Sequence, residues 1–122
     1  MTFNNYQIYE YAQVFNDLFE KQDLYIPVKA NFVIQKNIRT ITMAGSEIEE
    51  ARLKIASQYG ELNESQDSFI IAPDKLEKAN QEIMDLFSIE QDLDIRMIKL
   101  EDLGDAELTA KQMQTLMFMI EE

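Results

Sequence analysis

The chain has 122 residues, of which 46% are hydrophobic types, so it suits one domain of residues 1–122 and is short for two. Eleven Lys and Arg stand against 23 Asp and Glu, a net charge of −12, which disfavours direct nucleic-acid binding unless a basic patch is segregated. With no His, Cys or Trp, imidazole- and thiolate-based catalysis, zinc sites built on those ligands, and disulfides are excluded.

The N-terminus, MTFNNYQIYEYAQ, lacks the basic and apolar regions of a signal peptide, and no apolar run reaches membrane-spanning length. The expected location is therefore cytoplasmic. Charge is distributed unevenly. Residues 1–45 hold four bases and four acids and net to zero, while residues 46–122 carry the whole excess. Eight aromatic residues lie between Phe3 and Phe32. No Pro-, Gly- or Ser-rich linker divides the two parts.

Residues 4–20 carry Ile8, Tyr11, Ala12, Phe15, Leu18 and Phe19 at the spacing of one helical face, with Asn4 or Asn5 as N-cap. Tyr6, Tyr9 and Val14 fall off that stripe. Pro27 opens a second helix whose apolar row runs through Val28, Phe32, Ile38, Ile41, Gly45, Ile48, Ile55 and Tyr59. Either one helix spans residues 27–59 or it breaks near Gly45, and the β-branched run Ile38–Met43 also suits a strand. Glu50 precedes Lys54 at the favourable i,i+4 spacing, and Gly60 provides a C-terminal stop.

Residues 60–68 read as a polar loop and residues 68–72 as a strand. Pro73 and Asp74 start a third helix with Leu76, Ala79, Ile83 and Leu86 on one face. Residues 93–100 alternate as a second strand, with Leu93, Ile95, Met97 and Lys99 on one side, able to pair with the first. Thr109 and Gln112 form a T-x-x-Q capping box, Leu108 can staple onto Met113, and Met113, Leu116, Met117 and Ile120 form the last helix's inner face, leaving Met119 outside. The expected fold is mostly helical α+β: about four helices with a minor two-stranded β element.

Carboxylates are the remaining catalytic resource, because hard cations take oxygen ligands. Glu47-x-x-Glu50 and Glu82-x-x-Asp85 resemble the ExxE and ExxD metal motif of the all-α nucleoside triphosphate pyrophosphohydrolases, although residues 51–81 exceed that family's usual gap. Glu61, Glu64 and Asp67 lack the order of a calcium loop. Acids such as Glu77, Glu82 and Asp85 on a rigid helix could imitate DNA phosphates, or simply keep the protein dispersed. Tyr6, Tyr9, Tyr11 and Phe15 are the candidates for a protein contact, since Tyr is enriched at interfaces.

Four segments carry a further resemblance: EIEEARLKIASQYGE at 47–61, DSFIIAP at 67–73, KLEKANQEIMDLFSIE at 75–90 and ELTAKQMQTLMFMIEE at 107–122. Together residues 47–122 resemble a group of small, acidic, uncharacterised proteins of tailed bacteriophages and prophages of low-GC Gram-positive bacteria. The resemblance implies a phage-encoded helper or minor structural component, in the host cytoplasm or associated with the virion, and it transfers no catalytic residues. The leading expectation is a non-enzymatic protein that binds a phage virion component or a host protein. It needs no cofactor and no metal, contacts neither nucleic acid nor membrane, and has scope to self-associate. The alternatives are an acidic DNA mimic that inhibits a host nuclease or DNA-binding defence protein, and a Mg²⁺-dependent pyrophosphohydrolase.

Overall fold

A computed structural model of the chain describes residues 1–18, 25–65 and 68–121, with residues 16–18 described by their backbone alone. The elements run β1 (Thr2–Asn4), α1 (Asn5–Leu18), α2 (Val28–Tyr59), β2 (Gly60–Leu62), β3 (Phe69–Ile71), α3 (Pro73–Ser88), β4 (Glu90–Asp92), β5 (Ile98–Lys99), a 3₁₀ turn (Leu100–Leu103), α4 (Ala110–Leu116), a second 3₁₀ turn (Met117–Met119) and β6 (Ile120–Glu121). The fold is thus mostly helical α+β, with four α-helices among the described residues. The expected Phe19 lies outside the described residues, as does Asp67.

Asn4 is the N-cap of α1. Its Oδ1 accepts from the Gln7 N–H at 2.8 Å, and Gln7 Oε1 accepts from the Asn4 N–H at 3.0 Å. This reciprocal pair satisfies two helix-end donors. Asn5, the other candidate, is buried. Its Nδ2 donates to the Leu86 carbonyl and its Oδ1 accepts from Gln91 Nε2, which ties the start of α1 to the end of α3.

α2 is one unbroken helix of 32 residues, about 48 Å long at 1.5 Å per residue. Gly45 does not break it. A Cβ built there would lie 2.6 Å from Ala12 Cβ, so the missing side chain is what lets α1 and α2 approach closely. The buried row is Ala30, Ile34, Asn37, Ile41, Ala44, Gly45, Ile48 and Ala56. This corrects the expected row at its start, because Val28 and Phe32 point to solvent. The displacement has one cause. Asn37 occupies a core position that an apolar row skips, and it is affordable there because its amide is fully used. Nδ2 donates to the Arg96 carbonyl at 2.8 Å, and Oδ1 accepts from the Arg96 N–H at 3.0 Å. Among the described residues no buried side-chain nitrogen or oxygen lacks a hydrogen-bond partner.

Gly60 ends α2 in extended backbone (φ −138°), not in a left-handed stop. The glycine is needed for a different reason: a Cβ would sit 2.7 Å from the Ile70 carbonyl oxygen. The helix therefore runs directly into β2, which pairs antiparallel with β3, Gly60 facing Ile71. The expected polar loop is in part a hairpin.

The expected pairing of residues 68–72 with 93–100 does not form. Among the described residues there are three two-stranded ribbons: β2–β3, antiparallel β1–β4, and parallel β5–β6. Leu93 and Ile95 are partly buried and Asp94 and Arg96 exposed, as a strand would have them, but their backbone bonds go elsewhere. The Leu93 N–H donates to the Met1 carbonyl and the Arg96 N–H to Asn37. The alternation then slips, with Ile98 buried and Met97 exposed.

The Thr109–Gln112 capping box forms as expected, and Leu108 and Met113 both pack on the core. The inner face of the last helix differs. After Leu116 the chain tightens into a 3₁₀ turn, in which residues three apart eclipse, so Met119 lies under Leu116. Both are fully buried, and Met117 is exposed instead.

Candidate protein-interaction surface

The five aromatic residues from Phe3 to Phe15 fall into two groups. Phe3, Tyr11 and Phe15 gather around Phe118, with ring centroids 5.7, 4.6 and 6.3 Å from it. Phe15 is only 4% exposed, and Tyr11 is partly buried. These two candidates pack the inside of the molecule. Phe15 offers no surface to a partner, because the α4 end of the chain covers it.

The second group faces outward. Tyr6 and Tyr9, three residues apart on α1, both rest on Phe87 near the end of α3, at 5.8 and 5.4 Å. Tyr6 is 51% exposed. The Glu10 carboxylate one turn on accepts from its hydroxyl and pushes the phenol pKa up. Tyr9 is partly buried, and that burial, together with bonding to the Glu49 carboxylate, raises its phenol pKa. Glu49 is in turn gripped by Arg52, whose Nε and Nη2 lie 2.9 and 2.5 Å from its two oxygens. That pairing lowers the Glu49 pKa and raises that of Arg52. The ion pair on this stretch of α2 is Glu49–Arg52, not the expected Glu50–Lys54. Exposed Ile89 continues the surface, since its carbonyl accepts from the Asn5 N–H at 2.8 Å.

The acidic candidates all lie exposed on α3. Asp85 accepts from Gln81 Nε2 at 3.0 Å, and Glu82 bonds the Tyr59 hydroxyl, whose pKa burial and this carboxylate both raise. Lys75 and Lys78 on the same helix dilute the negative field. Glu47, Glu50, Glu61 and Glu64 are exposed as well, and among the described residues no three or more carboxylates gather in a geometry that could hold a metal ion. The concave surface between α1 and α4, a volume of about 350 Å³, is lined among the described residues by Gln7, Glu10, Tyr11, Val14, Gln114 and Thr115, of which Glu10 is charged.

A further surface is one the apolar row concealed. The outer face of α2 carries Val28, Phe32, Lys36, Arg39 and Met43, and Val28 and Phe32 are 77% and 64% exposed. The sequence does hold a signal for it. No acid occurs between Asp23 and Glu47, while Lys29, Lys36 and Arg39 do. Summing charge over residues 1–45 cancels that stretch against earlier acids.

Comparison of the chain with protein-family models, with curated proteins and with solved structures found no match. No helix among the described residues is long and apolar enough to cross a membrane.

Proposed function

We propose that this is a non-enzymatic, phage-encoded interaction factor, a virion-assembly accessory or host-takeover protein, that docks a protein partner on the surface formed by Tyr6, Tyr9, Phe87 and Ile89. The phage origin rests on the segment resemblance across residues 47–122. The observation that carries the docking surface is Tyr6. It is a large ring half open to solvent, held edge-on against Phe87 rather than free. A ring already fixed loses little conformational entropy on binding, and its hydroxyl supplies a polar handle at the rim. Interfaces draw most of their affinity from a few such anchors.

The test is Tyr6→Ala and Tyr9→Ala in a tagged chain used for capture from infected cells. Both variants are expected to stay folded by circular dichroism and to lose the captured partner. Capture at the unaltered level by both folded variants would overturn the proposal.

A further inference from the structure

The outer face of α2 presents a second problem. From Tyr25 to Ser46 the chain carries three bases and no acid, so the remaining residues hold a net charge of −15. The bases are interleaved with exposed apolar groups. Val28, Phe32, Lys36, Arg39 and Met43 fall at spacings of four, four, three and four residues on one side of a straight helix. Lys36 Nζ lies 6.0 Å from the centre of the Phe32 ring, at the limit of a cation–π contact. Such a stripe matches an acidic surface that also offers apolar side chains.

The chain itself carries that surface. Beyond the C-terminal end of α2, the β2–β3 hairpin exposes Leu62 and Ile70, with Glu61 paired across from Ile70 and Glu64 in the turn. The two surfaces lie toward opposite ends of a helix about 48 Å long, so one molecule cannot satisfy itself. We infer that the basic stripe of α2 is a docking surface for a second copy of this chain, which it engages through the partner's acidic hairpin. The contact is head-to-tail, and repetition builds a ring if the rotation closes and a filament if it does not. Its residues differ from those of the Tyr6 surface, so either proposal can fail without the other.

Charge also dictates how this association responds to salt. Two chains of −12 repel over long distances, while the stripe and hairpin attract only in contact. The Debye length falls to about 10 Å at 0.1 M, which screens the long-range repulsion before the contact pairs. Self-association therefore rises from low to intermediate salt and falls at high salt. Nucleic-acid binding would instead fall steadily throughout.

The experiment is sedimentation of the full chain across concentration and salt, beside Phe32→Ser, Lys36→Glu/Arg39→Glu and Glu61→Lys/Glu64→Lys. All altered side chains are exposed, and circular dichroism checks folding. The wild type should associate most strongly at intermediate salt. Each variant alone should associate about tenfold more weakly or less. An equimolar mixture of the two charge-reversed chains should recover association, because each then meets an opposite surface. A wild type monomeric at every concentration and salt overturns the inference. So does association that ignores Phe32, or a mixture of folded reversed chains that stays monomeric. Binding of single-stranded DNA or anionic vesicles by a monomeric wild type would assign the stripe to that partner instead.

Discussion

The α1–α2 pair and the stretch from Gly60 to Glu121 are built on different principles. The first is two helices meeting along periodic apolar rows, closed by Gly45 against Ala12, so its stability follows from burial. Apart from α3, the second is made of short pieces: ribbons of two or three residues, a helix of seven, and a segment from Leu93 to Met97 whose backbone finds partners far away in sequence. Asn37, in α2, takes both backbone groups of Arg96, and Asn5, in α1, binds the Leu86 carbonyl and the Gln91 side chain. The helices are thus both core and scaffold: the C-terminal part buries Ile98, Leu103, Leu116 and Met119 in the same core and is tied to it by polar groups reaching out of the helices.

If that contrast is right, truncating the row should cost most. Ile34→Ala, at a fully buried position, should lower stability by about 2–5 kcal/mol in denaturant unfolding, with both halves lost together. Asn37→Leu fills a similar volume but strands the Arg96 N–H and carbonyl, and should cost about 1–3 kcal/mol. Here the contrast sharpens, because hydrogen exchange at residues 93–98 should accelerate more than at Ile34 or Ile41. Equal acceleration in both places would mean that the two halves are not separately organised. Gly45→Ala should lose about 1–2 kcal/mol, overpacking against Ala12 outweighing the better helix propensity. Adding Ala12→Gly should return part of that loss, as a double-mutant cycle would measure. Thr109→Ala should cost about 1 kcal/mol by removing the cap of α4.

The smallest effect is electrostatic. Arg52 holds the Glu49 pKa below its ordinary value, so the pair stabilises above about pH 4.3 and loses that contribution as the pH falls through the lower folded value. Arg52→Gln should therefore be less stable near neutrality by under about 1 kcal/mol, since both side chains are about a third exposed to water, and the gap to wild type should close in acid. A gap that persists at low pH would point to lost packing instead.

The same contrast explains what the sequence makes legible. Regular elements announce themselves: α3 from Pro73, α4 from its capping box, and the ends of α2 from Pro27 and Gly60, although Gly45 leaves a break open that the packing against Ala12 closes. What stays hidden depends on a distant partner. Asn37 looks like a surface residue until Arg96 is seen to need it, and passing over it turns Val28 and Phe32 inward on paper. Strand signals at 68–72 and 93–100 are local, whereas pairing is not, and both segments find other neighbours. Met119 is misplaced because a helical wheel assumes 100° per residue and the chain tightens at Met117. Among the contact candidates, the off-stripe position of Tyr6 reads directly as exposure. Phe15 lies on the stripe, and the residue that packs against it, Phe118, comes more than a hundred residues later.

The tie between the first residues and the end of α3 also sets an order of events in time. β1 pairs with β4, and Gln91 binds Asn5 across 86 residues of chain, while the Ala12–Gly45 contact spans far fewer. Closing the longer loop first would cost about 0.9 kcal/mol more in chain entropy, with only a three-residue ribbon in return. The helical pair should therefore form the folding nucleus and the ribbon should close late. Mutations at Ala12 and Ile41 should slow folding, whereas those at Gln91 should mainly speed unfolding, giving φ-values high at the first two and near zero at the last.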